Sequence, residues 1–171
     1  MSGSGAVEQL FIAREDSAPM ESLESVEALD GGLSGDRYRT GKGYYSPFDV
    51  CEVTLIEGEA IDEIAEEFGI DLTDGRHRRN VVTRGVAVHD LLGATFRVGE
   101  AVLRGTRPRP PCAHVERVAG EEGVARALKN KRGGICATVL EPGTIERGDG
   151  IVVIEEDART MGRKIADRLG F

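Results

Sequence analysis

At 171 residues the chain is long enough for one good hydrophobic core and too short for two comfortable ones, so a single domain is expected. Its 40% apolar content and charges of both signs exclude a disordered or collagen-like chain. The 22 basic against 30 acidic groups, a net charge of −8, disfavour a general nucleic-acid binder, which needs a broad cationic surface.

Residues 1–6 read as a flexible lead-in, and the domain is expected to run over 7–171. The opening MSGSGAVEQ has no basic start and no apolar run, and IVVI at 151–154 is typical of the longest aliphatic stretches elsewhere. Neither a signal peptide nor a membrane span is predicted, and a cytoplasmic protein without nucleic-acid or membrane partners is expected. From Val7, VEQLFIA is a strand-length run of β-formers. GGLSGDRYRTGKGYYS at 31–46 has the glycines of a phosphate loop, but no G-x-x-x-x-G-K-[ST] aligns, because Gly43 follows Lys42 where a hydroxyl residue is required. The stretch leaves Asp36 and Arg37 on a glycine-rich turn, either to orient a ligand or to pair with each other.

VCEVTLI at 50–56 is a second strand, after which the period changes. In GEAIDEIAEEFG, Ile61, Ile64, Ala65 and Phe68 fall at i, i+3, i+4 and i+7, which predicts a helix stopped by Gly69. DGRHRRNVVTRG at 74–85 gathers Arg76, His77, Arg78, Arg79 and Arg84 around Asn80, a candidate anion site because guanidinium groups bind phosphate bidentately; a solvated loop is the alternative. ATFRVGEAVLR at 94–104 turns at Gly99-Glu100 as a hairpin. HVERVAGEEGVARALKN, interrupted by Gly120 and Gly123, predicts two short helices. GGICATVL and IVVIEE are further strands, with EPGTIERGDG read as tight turns between them, and Met161, Ile165 and Leu169 mark a C-terminal amphipathic helix. Many short strands, frequent glycines and few helices predict a mainly β fold with peripheral helices (α+β), a barrel or curled sheet, since closure removes exposed edges.

Cys51, Cys112 and Cys136 are odd in number, widely spaced and free of C-x-x-C, which argues against a zinc ribbon or a disulfide framework and predicts free thiols in a reducing cytosol. His77 and His89 have no partners at metal-ligand spacing. Cys112 stands apart. In GTRPRPPCAHVER at 105–117 it follows Pro110-Pro111, with Arg107 and Arg109 before it and His114 and Arg117 after it. Neighbouring cations favour a reactive thiolate, whereas an unpaired cysteine is commonly a buried one; the residues alone leave both readings open.

GGLSGDRY at 31–38, RRNVVTRGV at 78–86 and RPRPPCAHVE at 107–116, followed by RGGICATVLEPGTIERGD at 132–149, stand in the order of the MOSC domain, which the chain resembles from about Val7 to Ile154. MOSC domains form the C-terminus of molybdenum cofactor sulfurases and also occur as small stand-alone proteins, the form this chain most resembles. The resemblance implies a MOSC-type β-barrel with Cys112 as its one functional thiol, either ligating the molybdenum of a pterin cofactor or carrying a persulfide. It matches Asn80 to the family's polar position and Asp36-Arg37 to its G-D-R turn, lining one pocket. Arg78, Arg79, Arg107 and Arg109 could cradle the pterin phosphate.

On this reading the protein is a molybdenum-cofactor-dependent reductase of N-hydroxylated small molecules served by a separate electron-donor protein. The alternative is a sulfur carrier supplied by a pyridoxal-phosphate cysteine desulfurase, since this chain has no pyridoxal-phosphate site of its own. A third reading is a non-catalytic anion- or partner-binding barrel.

Overall fold

The computed structural model describes residues 5–40, 51–109, 113–156 and 169–170. Its strands are β1 (Gly5–Ile12), β2 (Glu21–Leu23), β3 (Ser25–Leu29), β4 (Gly32–Leu33), β5 (Val53–Glu57), β6 (Val81–Arg84), β7 (Thr95–Val98), β8 (Ala101–Pro108), β9 (Ile135–Glu141), β10 (Gly143–Glu146) and β11 (Gly150–Glu155). The helices are α1 (Arg37–Thr40), α2 (Gly58–Phe68), α3 (Ala113–Ala119) and α4 (Val124–Ala127), with a 3-10 turn at Val88–Leu91.

Seven strands close into a barrel in the order β11-β7-β8-β9-β5-β6-β1, and β1 completes the ring by pairing with β11. Strand β2 extends the far half of β1, and β10, β3 and β4 form a small second sheet. The expected mainly β barrel with peripheral helices is observed. Among the described strands only β5 and β6 pair in parallel, and α2 lies in their connection, as a parallel pair requires a crossover. Helix α2 covers the predicted span and ends at Gly69, whose φ of 67° is the left-handed conformation that glycine adopts without cost.

Adjacent apolar residues on one strand serve two cores, which explains the unbroken apolar runs. Leu10, Leu55 and Val81 point into the barrel with Phe96, Leu103 and Ile135. Their neighbours Phe11, Ile56 and Val82 point outward to Ile61 and Ile64 of α2, Val115 of α3 and Leu128. Helices α2, α3 and α4 are thereby fastened to one side of the barrel.

Three expectations change. Gly5 and Ala6, assigned to the lead-in, belong to β1, where Ala6 pairs with Arg84 and Gly150. Gly143–Glu146, read as turn, is a strand because Ile145 is buried opposite Val26. Cys51 and Cys136 are not free thiols: they form a disulfide across 85 residues of chain, their Cα atoms 5.3 Å apart. Cys51 lies just before β5, and Cys136 lies on β9 opposite Thr54, so the bridge joins the β5 and β9 segments at a Cα separation in the usual disulfide range. The predicted C-terminal helix falls outside the described residues except for Leu169 and Gly170.

Candidate functional site

Asp36 precedes α1, and Asp caps a helix because its carboxylate accepts from the first free backbone amides. Here Oδ2 accepts from the Tyr38 amide at 3.3 Å, while Oδ1 accepts from the Ala13 amide at 3.0 Å, from Arg37 Nη1 at 3.1 Å and from Asn80 Nδ2 at 3.2 Å. Asn80 is equally committed. Its Nδ2 also donates to the Phe11 carbonyl at 3.1 Å, and its Oδ1 accepts from both the amide and the hydroxyl of Thr54 at 3.0 Å. Both side chains are fully buried, so they tie β1, β5 and the start of β6 together. The G-D-R and R-N motifs therefore meet, and Asp36 and Asn80 meet as a framework whose polar atoms face protein.

The arginines divide into two groups. Arg37 is buried beside Asp36 and donates through Nη2 to the Arg78 carbonyl at 3.1 Å. Arg78 has a φ of 68°, a rare conformation for a side chain with a Cβ, and its guanidinium donates to the carbonyls of Asp16, at 2.6 Å, and Ala18. Burial above all, and then the Arg37 charge, push Arg78 down to about 10, which still leaves it cationic at neutral pH. Arg79, 1% exposed, donates to the carbonyls of Gly133 at 2.7 Å, His77 at 2.8 Å and Arg109 at 3.4 Å. Arg109 is buried too, with Nη2 2.6 Å from the Tyr38 hydroxyl, and Arg107 is half-buried on β8 opposite Cys136. Cys112 lies outside the described residues.

Between the 16–20 loop and α3 runs a groove made of two adjoining clefts. The deeper, about 230 Å³, is lined by Ser17, Met20, Arg76, Arg78 and Val118 among others. The more open one, about 510 Å³, is lined by Asp16, Ser17, His114, Arg117 and Val118. Of the predicted cradle, only Arg78 lines this groove. His114 Nε2 sits 3.3 Å from the Asp16 carbonyl; a carbonyl only accepts, so Nε2 carries the proton and Nδ1 faces Arg117 at 3.5 Å. Burial holds its pKa below the usual histidine value, leaving the ring neutral at pH 7. Asp16, Ser17, Met20 and Val118 escaped sequence reasoning because a polar loop and a short helix carry no signature of facing each other. No group of three or more His, Cys, Asp or Glu suited to holding a metal occurs among the described residues.

The profile of the MOSC domain matches residues 48–152, more than half of the chain. The chain belongs to the MOSC domain family. Its barrel is similar to that of the YuaD protein from Bacillus subtilis, with a TM-score of 0.73, 21% identity, and coverage of 88% of this chain and 95% of that one. It is also similar to YiiM from Geobacillus stearothermophilus (TM-score 0.69, 17% identity, 88% and 75% coverage) and YiiM from Escherichia coli (0.64, 18%, 88% and 70%). At these identities the likeness is one of fold. A comparison with curated proteins finds no match. No helix among the described residues of this MOSC protein is long and apolar enough to cross a membrane.

The arginine cluster also buries a histidine. His77 Nδ1 accepts from the Arg79 amide at 2.9 Å, while Nε2 has no hydrogen-bond partner among the described residues and the ring meets Phe11 edge-on at 5.5 Å. Burial first, then the Arg79 and Arg78 charges, push its pKa down to about 3. Between pH 6.5 and 3 the unfolded chain takes up a proton that the folded protein refuses. Stability is therefore complete above 6.5 and falls as pH drops, by about 1.4 kcal/mol per unit, or about 2 kcal/mol by pH 5. In urea titrations at a series of pH values, His77→Asn, which keeps an acceptor for the Arg79 amide, should flatten this acid limb. An unchanged slope would assign the limb to other groups.

Proposed function

We propose that this MOSC protein binds the molybdenum cofactor with Cys112 as the protein ligand to the metal, and reduces N-hydroxylated small molecules with electrons from a separate donor protein in the cytoplasm. The supporting observation is the groove beside α3: the helix begins at Ala113, the residue after Cys112, and the groove is lined by Arg78, His114 and Arg117. The donors that line the groove, Arg78, Arg117 and Ser17, suit an anionic group, and a metal chelated by its own pterin asks for only one soft protein ligand, which a thiolate supplies.

Arg78 and Arg117 would hold the anionic part of the cofactor, with the Ser17 hydroxyl as a further donor. His114, kept neutral, adds no further cation beside Arg78 and Arg117, and its Nε2–H fastens α3 to the 16–20 loop. Arg79, Asn80 and Asp36 act behind this surface, and Arg109 and Arg107 flank the approach to Cys112. When bound, the cofactor would supply two-electron reduction; the overall reaction would take two electrons and two protons, break the N–O bond and release the amine and water.

Elemental analysis of protein made in a cofactor-competent host should find about one molybdenum per chain, lost in Cys112→Ala. Metal-free and pterin-free wild-type protein from that host would overturn the proposal. Release of thiocyanate by cyanide after incubation with a cysteine desulfurase, from protein without molybdenum, would establish the sulfur carrier instead. A Cys112→Ser variant unchanged in metal and sulfur content would leave a binding barrel.

A further inference from the structure

The last turn of α3 follows from where the helix is anchored. Val115 is buried in the core that the helices share, and Val118 and Ala119, three and four positions on, fall on the same face. Gly120, with a φ of 69°, ends the helix there. Val118 and Ala119 line the deeper of the two clefts together with Pro19 and Met20. Met20 and Ala119 also pack against the helix core, so this cleft opens onto apolar side chains. Met20 is held from two directions. Its Sδ stands 3.8 Å from Arg37 Nη1, and the 74–76 turn lies so close that a Cβ at Gly75, whose φ is 92°, would strike both Met20 and the Phe11 ring.

Charge at this end of the groove is neutralised. Arg76 gives Nε to Asp74 at 2.9 Å, Nη1 to Glu121 at 2.6 Å and Nη2 to the Asp71 carbonyl at 2.6 Å, so every nitrogen of its guanidinium has a protein acceptor. Arg78 is tied to the Asp16 and Ala18 carbonyls, beside the Ser17 wall that the two clefts share. An anionic group is therefore served at that wall and at Arg117, whereas the far end offers four apolar side chains and a satisfied ion pair. Its volume, about 230 Å³, exceeds the roughly 150 Å³ in which an apolar cavity holds one benzene ring.

We propose that the deeper cleft is the subsite for a neutral, ring-sized apolar group of the substrate, and that Met20, Val118 and Ala119 set the size it accepts. The proposal rests on the reading of the groove as the site of an N-hydroxylated small molecule, and it adds which part of that molecule the protein selects. A cleft with an apolar wall discriminates by fit, and a group of a few carbons more or fewer changes affinity by about 10–200-fold.

The test titrates the full chain, made in a cofactor-competent host, with acetohydroxamic and benzohydroxamic acid, which share a head group and differ in a methyl against a phenyl. The phenyl compound should bind at least about tenfold more tightly, and it alone should shift the amide resonances of Gly75, Val118 and Ala119. Ala119→Leu, which fills the cleft, should reduce the ratio of the two affinities about tenfold. Met20→Ala, which enlarges it, should move the preference from the phenyl to the naphthyl hydroxamic acid, a gain that a misfolded protein cannot produce. Equal affinities for the methyl and phenyl compounds, or a phenyl preference that neither variant alters in folded protein, would overturn the subsite whatever the molybdenum content. A phenyl preference with the expected variant effects, in wild-type protein free of molybdenum and pterin, would instead overturn the reductase reading and leave the cleft as a site for neutral apolar groups.

Discussion

Asn80→Ala should lower the stability of the protein by about 4 kcal/mol, because it leaves several buried partners without a bond at once. The Thr54 amide and hydroxyl, the Phe11 carbonyl and one position on Asp36 each lose their counterpart, and a buried polar group left unmade costs about 1–3 kcal/mol where water cannot replace the bond. Partial relaxation and sharing, as at Asp36 Oδ1 with its other donors, keep the sum below the simple total. For a chain of this size the shift corresponds to a fall in Tm of roughly 8–16 °C. Asn80→Asp should be no better, since it sets a second carboxylate 3.2 Å from Asp36. A Tm within about 3 °C of wild type for Asn80→Ala would show that the amide is not structural.

The contrast between motif and role says what the sequence makes legible. Period and turn chemistry were enough for α2, the β7–β8 hairpin and the paired short helices α3 and α4, because each depends on residues close in the chain. The three-part resemblance carried the barrel. What could not be read is what the barrel's register decides. Asp36 and Asn80 stand 44 residues apart, and nothing in either segment states that the carboxylate and the amide meet in a closed interior instead of across a pocket. Arg78 and Arg79 are consecutive, drawn from one basic cluster and both buried, yet Arg78 donates to the Asp16 and Ala18 carbonyls where it lines the groove, while Arg79 crosslinks carbonyls behind it. Local charge patterning shows that cations are gathered, but not that Arg78, Arg79 and Arg109 are buried among backbone carbonyls and Tyr38. The groove's other wall, Asp16 to Met20, is polar loop with no motif at all.

Reduction of the Cys51–Cys136 disulfide should cost about 4.5 kcal/mol, the loop-closure entropy of tying an unfolded chain across 85 residues. The folded side changes little on reduction. Both cysteines are buried, at 3% and 0% exposure, and a buried thiol packs as a small apolar group, so β5 and β9 keep their hydrogen bonds and apolar contacts. The effect should therefore appear in the unfolded state. Guanidinium titration with and without a phosphine reductant should give a lower midpoint and a larger m-value for the reduced protein, because the freed unfolded chain exposes more surface. The double variant Cys51→Ala/Cys136→Ala should match the reduced wild type within about 1 kcal/mol and should no longer respond to reductant. A reductant effect that persists in that variant would have to come from Cys112, and one below about 1 kcal/mol in wild type would show that the pair does not constrain the chain. The register adds a coupling. Thr54, opposite Cys136 in the β5–β9 ladder, is the residue that clamps Asn80, so the crosslink and the buried amide network brace the same pair of strands. Combining Asn80→Ala with reduction should then destabilise by clearly less, or clearly more, than the sum of the two, whereas strict additivity would place them in independent parts of the barrel.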